Sequence, residues 1–406
     1  MPSVFYLKNS ERNKKMNPYR LGQIGVGGRG VVFYQNNHIP EEGFEIFAGA
    51  DVSDEALEQF QKAIPTAKCC KDYRELLAMP EIEAVFIITP DDLHEEMACE
   101  ALKAGKHVFL EKPLAITIEG CEKILRTAME CRRKIYIGHN MRFMPVILKM
   151  KEIIDSGVIG EVQLAWVRHF INYGGDTYFH DWHSERRHTT GLLLQKGAHD
   201  IDIIHWLMNS YTEKVSAMGM LSVYDKCHRR TDGKPGKALW DIKNYPPEKV
   251  KDFSAVIDVE DSNMIMMQLK SGKQCTYMQC HYTPDADRNY TFIGTRGRIE
   301  NCGIGANAQI HVWTNRAQGA GSHLPDYSYT LRDITGTHSG ADPAIMKNFR
   351  EYVRDDATPV TSPIDAMRAV MVGVLAHETM RSDMSCRTLP EIPADLVEYF
   401  GAQAIK

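Results

Sequence analysis

Residues 25–30 read Gly-Val-Gly-Gly-Arg-Gly, which places Gly25, Gly27 and Gly30 at the spacing G-x-G-x-x-G. The motif follows an apolar run at 20–26 that predicts a β-strand, and a helix is expected to leave it. Glycines here permit a tight turn and let the backbone approach a pyrophosphate at the positive end of the helix, with Gly28 and Arg29 in the same turn. The motif predicts a dinucleotide-binding turn.

Asp51 strengthens this prediction, because it ends a second predicted strand (44–50) and lies 21 residues after Gly30. A carboxylate at this position accepts hydrogen bonds from ribose hydroxyls and repels a 2′-phosphate. NAD is therefore favoured over NADP as the cofactor. The alternative is that Asp51 caps a helix beginning near Ser53.

The first third of the chain alternates short apolar runs with helical patterns. Further strands are predicted at 84–89, 107–110 and 135–138, and helices at 54–63, 72–79, 93–104 and 118–131. Strands separated by helices are typical of a doubly wound parallel sheet. We therefore expect a polar N-terminal tail (1–18) followed by a Rossmann domain (19–140).

After residue 140 the pattern changes. A helix (145–156), a strand (161–170) and a polar aromatic loop (172–190) lead to a helix at 193–208, and two helices close the chain at 344–354 and 364–381. Between them, strands are predicted at 215–223, 262–269, 274–282, 290–293 and 309–312, without intervening helices. This order indicates a second α/β domain (141–406) with a large, open, mostly antiparallel sheet, interrupted by an insertion or long loop at 225–258.

Bulk properties exclude several classes of function. The 406 residues carry a formal net charge of -5, and no long basic run suggests a nucleic-acid partner. The chain shows no apolar stretch of membrane-spanning length and no signal peptide, and its ten cysteines form no CxxC pair. We expect a cytoplasmic protein with reduced thiols. Although His180-Asp181-Trp182-His183 is suggestive, no tight ligand signature is present, so we predict no metal site.

The segment AGKHVFLEKPLA, which contains Glu111, Lys112 and Pro113, resembles the Gfo/Idh/MocA oxidoreductases. The resemblance extends over 88–94, 140–143, 191–207, 259–261, 293–300 and 340–342. It implies a Rossmann domain followed by an α/β domain that binds substrate and often forms a homo-oligomer, here a dimer or a tetramer. Most members interconvert an alcohol and a ketone on sugars, cyclitols or related small molecules.

The resemblance also implies roles for single residues. Lys112 matches the family's lysine, which can hydrogen-bond the reacting oxygen, and Glu111 orients it. His199 matches the histidine of the second-domain helix and is the expected general acid or base, with Lys196 beside it as a further catalytic candidate. Thr89, Pro90 and His94 are expected beside the cofactor, and Arg142 beside the substrate.

The helix at 193–208 departs from the family pattern. Many members carry aspartate four residues before the histidine, whereas this chain has Gln195 there. A neutral amide cannot act as a base, which puts the acid/base assignment in question but leaves the location of the site intact. We expect Gln195 to contact substrate, with Lys196 as a second cation that depresses the pKa of His199 or Lys112. For His199 the alternative is a hydrogen-bonded core histidine, and for Lys112 a surface turn.

The aromatic loop supplies the remaining substrate-binding candidates, namely Tyr178, His180, Trp182 and His183. Aromatic faces and fixed donors suit a polyhydroxylated ring. The alternative is that the loop packs against its own domain or another subunit.

Three hypotheses of function follow. The first is an NAD(P)-dependent dehydrogenase acting on a CH–OH group of a sugar, glycoside or cyclitol, with oxidation of a pyranoside at C3 as the specific guess. The second keeps the fold but is redox-neutral: transient C3 oxidation acidifies the C2 proton and permits elimination at C1, as in a glycoside hydrolase or lyase. The third is a sensor of sugar or cofactor without turnover, which Gln195 favours.

Overall fold

The computed structural model describes residues 18–232, 241–316, 323–332 and 334–401. The chain divides into two compact units, the first ending at Glu83 and the second beginning at Ala84. The domain boundary predicted at residue 140 does not coincide with this division and stays a prediction. Except for Pro18, the predicted N-terminal tail lies outside the described residues.

The first unit is an alternation of strands and helices. Its elements are β1 (Tyr19–Ile24), α1 (Gly30–Asn37), β2 (Phe44–Ala50), α2 (Asp54–Ala63), β3 (Lys68–Cys70) and α3 (Tyr73–Leu77). The three strands are parallel in the order β3-β2-β1. The amphipathic helix α2 buries Phe60 and lies on this sheet, where a Cβ on Gly49 would come within 2.6 Å of the Phe60 ring. We did not predict β3, because its sequence Lys-Cys-Cys has no apolar run.

The second unit begins with three further parallel strands. They are β4 (Ala84–Ile87), β5 (His107–Leu110) and β6 (Ile135–Ile137), in the order β4-β5-β6, with α4 (His94–Lys103) and α5 (Ile118–Cys131) between them. Nearly every residue of these strands is buried, as expected for parallel strands covered on both faces. The predicted doubly wound parallel sheet is confirmed.

A mixed sheet follows. Its strands are β7 (Val162–Phe170), β8 (Thr212–Met220), β9 (Ser262–Leu269), β10 (Gln274–Cys280), β11 (Asp287–Gly294), β12 (Arg298–Cys302), β13 (Gln309–Trp313), β14 (Tyr327–Thr330) and β15 (Arg387–Thr388). Over the described residues the order is β14-β13-β12-β11-β7-β10-β9-β8-β15, and only β7 and β10 pair in parallel. The predicted large, mostly antiparallel sheet is confirmed. The strands β12, β14 and β15 were missed because they are short and rich in polar residues.

Helices cover one face of this sheet. Those in contact with its strands are α6 (Pro145–Asp155), α9 (Leu192–Met208) and α11 (Pro363–Met380). The other helices in this part of the chain are α7 (Gly174–Thr177), α8 (Arg186–Thr189), α10 (Ala341–Asp355) and α12 (Ala394–Tyr399). Helix α9 is buried along nearly its whole length, and α11 packs closely against it, because Gly373 lets Leu194 approach. A Cβ on Gly373 would lie 2.8 Å from the Leu194 Cδ1 atom. None of the helices among the described residues has the length and apolar character needed to cross a membrane.

The opposite face of the sheet is open. Along β9, buried and exposed residues alternate, and Met264 and Met266 face outward together with Trp166 of β7 and Met218 of β8. Each of these four side chains is more than half exposed. The sheet therefore presents an apolar surface on the side that no helix of the described chain covers.

Helix α10 explains why the compact units divide at residue 84. Its Phe349 ring lies 5.1 Å from that of Phe86 on β4 and 5.3 Å from that of Phe109 on β5 (centroid distances). The Tyr136 hydroxyl on β6 donates a hydrogen bond to Asn348 at 2.7 Å. The parallel strands β4 to β6 thus share a core with the end of the chain, a long-range contact that no local pattern reveals.

The predicted insertion has a packing role. Its residue Phe253 packs against His180 and against Tyr224, which immediately precedes the insertion and stacks on Phe179 at a centroid distance of 3.8 Å. These rings form a small core with Ile171 and Tyr178, separate from the main core under the sheet. The insertion therefore supports the aromatic loop, while residues 233–240 lie outside the described residues.

We predict that Phe349→Ala lowers the free energy of unfolding by about 3–5 kcal/mol, because it leaves a cavity between α10 and the parallel strands. Chemical denaturation followed by circular dichroism would measure this. Phe349→Leu should cost much less, and Lys347→Ala, at an exposed position of the same helix, should be nearly neutral. Equal losses for all three variants would contradict the packing role of the ring.

Candidate functional site

The glycine motif of the first unit forms the predicted tight turn. Gly25 and Gly28 have positive φ angles of 85° and 47°. A Cβ on Gly30 would lie 2.1 Å from the Gly25 carbonyl oxygen, which excludes any other residue there. Helix α1 begins at Gly30, with no acidic side chain in its first turn and no side-chain cap, so its N-terminal amides suit an anion. These residues fit the pyrophosphate of a dinucleotide.

Asp51 is held against this turn. Its Oδ2 atom accepts hydrogen bonds from the amides of Val26 at 2.9 Å and Gly27 at 3.1 Å, and its Oδ1 accepts one from Ser53 at 2.9 Å. The alternative of a helix cap is wrong, because Ser53 caps α2 through its own hydroxyl. Asp51 is thus fixed beside the glycines, as a ribose-binding carboxylate requires.

In the second unit, His94 has a different position from the one expected. Its side chain is 0% exposed, with Nδ1 2.7 Å from the Pro113 carbonyl oxygen and Nε2 3.2 Å from that of Thr89. Burial lowers the pKa of His94, so the ring is neutral. We correct its role: the neutral ring lies between these two carbonyl oxygens, donates its single N–H to one of them, and is too enclosed to contact a cofactor.

Lys112 follows β5 and reaches helix α9. Its Nζ donates a hydrogen bond to the backbone carbonyl oxygen of Gln195 at 2.9 Å, and its backbone amide donates to the Glu111 carboxylate at 2.9 Å. The surface-turn alternative for Lys112 is therefore wrong. Since Lys112 uses the backbone of Gln195, this contact does not depend on which side chain stands there. The Gln195 side-chain oxygen is buried without a hydrogen-bond partner among the described residues.

A cavity of about 230 Å³ opens beside α9 within the second unit. Lys196 and His199, one helical turn apart, both line it, as the helical spacing predicted. The other polar lining residues include Tyr173 of the aromatic loop and three that we did not single out from the sequence, His169, Asp287 and Arg288. They come from β7, the loop after it and β11, which only the folded sheet brings together.

The charges around His199 keep its ring neutral. Burial is the main cause of a strongly lowered pKa, and the positive charges of Lys112, Arg288 and Lys196 lower the pKa further. The His199 Nδ1 atom has no hydrogen-bond partner in the described part of the chain. His199 lines the cavity, and a neutral imidazole is able to accept a proton from a bound hydroxyl through its unprotonated nitrogen.

His139 is a site residue that the sequence analysis missed. Its ring lies edge-on to that of His199 at a centroid distance of 5.8 Å, and it is only 1% exposed. Neither ring nitrogen has a hydrogen-bond partner among the described residues, although Nδ1 lies 3.7 Å from the Asp202 carboxylate. The one signal was its position immediately before the Asn140–Phe143 motif.

Arg142 does not reach the cavity, contrary to our expectation. Its guanidinium forms a bidentate pair with Asp202, at 2.9 Å and 2.6 Å, and contacts Asp365 at 3.2 Å and the Val360 carbonyl oxygen at 2.9 Å. These partners occupy a side chain that is 4% exposed. We correct its role to a buried structural ion pair that fixes α9 beside the Asn140–Phe143 turn.

The aromatic loop divides into two groups. Tyr178 lies near the cavity, with its ring 4.7 Å from the Lys196 Nζ and 5.0 Å from the His183 ring, and Trp182 stacks on His183 at 3.7 Å. His180 instead stacks on Phe253, and its Nδ1 donates a hydrogen bond to the Asp252 carbonyl oxygen at 3.1 Å. Because His180 belongs to the small core under the insertion, we correct its role from substrate binding to packing.

A buried network lies behind the cavity wall. The Asp200 carboxylate accepts hydrogen bonds from the hydroxyls of Tyr277 at 3.0 Å and Tyr290 at 2.5 Å, and it lies 3.1 Å from the Arg288 Nε. These partners lower the pKa of Asp200 to about 2 despite its burial, with Arg288 contributing most. The network fixes Arg288 in one orientation at the cavity.

Two further observations bear on the chemistry of the site. Within the described residues, no three His, Cys, Asp or Glu side chains are placed to hold a metal ion. All ten cysteines lie in the described ranges, and all are free thiols.

The fold and the site together define an oxidoreductase with an NAD-binding Rossmann fold and a C-terminal α/β domain. The family models with these descriptions match residues 19–139 and 151–387. The chain therefore belongs to the Gfo/Idh/MocA oxidoreductase family, and the predictions of the family and of an oxidoreductase are confirmed.

Several relatives resemble the chain over most of its length. The scyllo-inositol 2-dehydrogenase (NAD(+)) of Bacillus subtilis is 27% identical over 90% of this chain and 95% of its own. The alpha-N-acetylgalactosaminidase of Shewanella oneidensis is 24% identical over 95% of this chain and 87% of its own. A levoglucosan dehydrogenase, solved with NADH and levoglucosan, shares the fold with a TM-score of 0.76 at 17% identity, covering 92% of this chain and 100% of its own.

We predict that Lys196→Met raises the pKa of His199, because it removes one of the positive charges that lower it. The pH titration of the His199 ring carbon in histidine-labelled protein, assigned with His199→Asn, would measure the shift by NMR. Lys112→Met should raise the pKa further, because Lys112 acts more strongly on the ring. Lys103→Met, at an exposed position of α4, is the control, and a shift equal to that of Lys196→Met would contradict the assignment.

Proposed function

We propose that the protein is an NAD-dependent dehydrogenase that oxidises a ring hydroxyl of a sugar, glycoside or cyclitol. The observation that carries this proposal is that α9 presents His199 to the cavity and also binds the Lys112 ammonium through the Gln195 carbonyl. A proton acceptor and a donor to the reacting oxygen are the two groups that alcohol oxidation requires of the protein.

The chain's own residues handle the proton and the oxygen. His199, neutral because of its lowered pKa, accepts the hydroxyl proton as the alcohol becomes a carbonyl. An ammonium has three N–H groups, so Lys112 can donate to the reacting oxygen while it donates to Gln195. Lys196 contributes positive charge that stabilises the developing oxyanion. When bound, NAD supplies the hydride acceptor.

Each of the two units contributes residues that we propose to bind the cofactor. In the first, the turn formed by Gly25, Gly27, Gly28, Arg29 and Gly30 would hold the pyrophosphate, and Asp51 the ribose hydroxyls. In the second, we propose that the cofactor contacts Thr89, Pro90, Glu111 and Lys112. The Thr89 hydroxyl is buried without a hydrogen-bond partner among the described residues. We propose NAD rather than NADP because the Asp51 carboxylate would repel a 2′-phosphate.

For the substrate we propose a pyranoside or a cyclic polyol, with C3 of a pyranoside as the specific carbon. The cavity of about 230 Å³ suits one small ring, and its polar lining suits hydroxyl groups. Relatives that carry the names scyllo-inositol 2-dehydrogenase and levoglucosan dehydrogenase support this class. Tyr178, Trp182, His183 and the Gln195 side chain stay proposed substrate contacts.

A redox-neutral glycosidase is the second candidate. Tyr178 lies among Lys196, His183 and His281, and it is a phenol that the Lys196 charge stabilises when ionised, which suits a second base for the C2 proton. Burial, however, raises the pKa of Tyr178 strongly. The relative named alpha-N-acetylgalactosaminidase supports this candidate. A sensor without turnover has less support. That hypothesis rests on Gln195 in place of the usual aspartate, but Lys112 binds the backbone carbonyl of Gln195, which any residue at this position would offer.

The deciding experiment incubates the purified protein with NAD and a panel of sugars, glycosides and cyclitols, following NADH by absorbance and products by mass spectrometry. We expect NADH and a product lighter by about two mass units, the two hydrogens lost in oxidation. Lys112→Met and His199→Asn should lower kcat about 10²–10⁴-fold while NAD still binds, and Lys103→Met should not. Aglycone release without NADH would support the glycosidase instead, and NAD binding without any turnover would support the sensor.

We also propose a homo-oligomer that forms through the open sheet face. The exposed Trp166, Met218, Met264 and Met266 form an apolar surface of a kind that monomers rarely leave to solvent. Sedimentation should show a dimer or tetramer, and the double variant Trp166→Glu/Met266→Glu should dissociate it. Lys347→Glu, on a different surface, is the control. A monomeric parent protein would refute this proposal. We retain a cytoplasmic location as a proposal, which the ten free thiols support.

A further inference from the structure

One wall of the cavity is rich in nitrogen donors. Arg288 of β11, His169 of β7 and Lys196 of α9 all line it. Among the lining residues that the structure describes, Asp287 is the one acidic side chain, and its carboxylate pairs with Arg168 at 3.3 Å. The wall therefore presents donors and positive charge to whatever the cavity binds.

The Arg288 guanidinium has more donors than acceptors. It carries five N–H groups, and its contacts are the Asp200 carboxylate at 3.1 Å from Nε, the His169 Nδ1 at 3.0 Å and the Met141 sulfur at 3.0 Å. A thioether is a weak acceptor, and at least two N–H groups have no acceptor in the described part of the chain. The side chain is only 10% exposed and lines the cavity, and its Nε pairs with Asp200 without the geometry of a hydrogen bond.

Two neighbours compete for the Nδ1 atom of His169. It lies 3.0 Å from a nitrogen of Arg288, which only donates, and 3.5 Å from the Asp200 carboxylate, which only accepts. The shorter contact favours an accepting Nδ1, with the proton of the neutral ring on Nε2. Burial lowers the pKa of His169 to about 4, which keeps the ring neutral near pH 7. The Nε2–H group has no acceptor among the described residues and adds a further donor to the same wall.

We propose that the substrate carries a carboxylate, which Arg288 and His169 bind while its ring hydroxyl reaches Lys112 and His199. The planar guanidinium matches the two oxygens of a carboxylate, and Lys196 adds a compact positive charge. The substrate class is a uronic acid, a uronide or a carboxylated cyclic polyol. This inference rests on the proposed dehydrogenase function, whose substrate it specifies.

The test measures binding without turnover, by calorimetry in the presence of NADH. The probes are D-glucuronate, D-galacturonate and quinate, each against a neutral partner: D-glucose, D-galactose and myo-inositol. D-glucuronamide is the isosteric neutral control. We expect at least one acid to bind about 10-fold or more tightly than its neutral partner, the effect of one charge-assisted hydrogen bond. Equal or tighter binding of the neutral partners, tighter binding of glucose 6-phosphate, or no binding of any acid would overturn the proposal.

Two variants locate the carboxylate. His169→Phe removes the donor and leaves the Arg288–Asp200 pair intact, and the double variant Arg288→Met/Asp200→Asn removes the guanidinium without changing the net charge. Each should weaken acid binding about 10-fold and change binding of the neutral partner less than about twofold. Lys347→Met removes a distant positive charge and should change neither. If both site variants bind the acid like the parent protein, the assignment is wrong.

Turnover measurements distinguish a failure of the carboxylate proposal from a failure of the dehydrogenase proposal. Oxidation of neutral sugars with the same kcat/KM as their acids would refute the carboxylate and leave the dehydrogenase standing. Selective acid binding with no NADH from any substrate would refute the dehydrogenase instead.

Discussion

The contact between the Lys112 ammonium and the Gln195 carbonyl oxygen is the interaction on which the site depends. It joins the turn after a buried parallel strand to the helix that carries Lys196 and His199. Both partners are anchored independently: the strand lies in the parallel sheet, and α9 is enclosed by α11 and the mixed sheet. A flexible side chain is thus held at both ends by rigid elements, which fixes the catalytic candidates in one arrangement.

Electrostatics sets what this arrangement can do. Buried imidazoles stand among fixed cations, so the rings of His139, His169 and His199 are all neutral and able to accept or donate without first losing a charge. The compensating carboxylates lie behind them, with Asp200 on Arg288 and Asp202 on Arg142. Apart from Asp287, which pairs with Arg168, the residues that line the cavity are positive or neutral, and this is the basis for inferring an anionic substrate.

Two additions to the fold support the site from a distance. The insertion packs Phe253 against Tyr224, which stacks under the aromatic loop, and this supports Tyr178 beside Lys196. Helix α10 packs Phe349 on the parallel strands that end near Lys112. Neither contributes a reacting group. Both replace solvent beside the site with packed rings, which strengthens the electrostatic interactions there.

Local spacing in the sequence predicted the alternation of strands and helices and the glycine turn, while the resemblance to the family pointed to that family and to Lys112 and His199 as catalytic candidates. Only the tertiary structure decided which polar residues face the cavity. Two residues chosen from the sequence do not face it: Arg142 pairs with Asp202, and His180 stacks on Phe253. Arg288, which does line the cavity, gave no local signal in the sequence. The physical reason is that a charged side chain pairs with whatever the fold brings near it, and those partners are far apart along the chain.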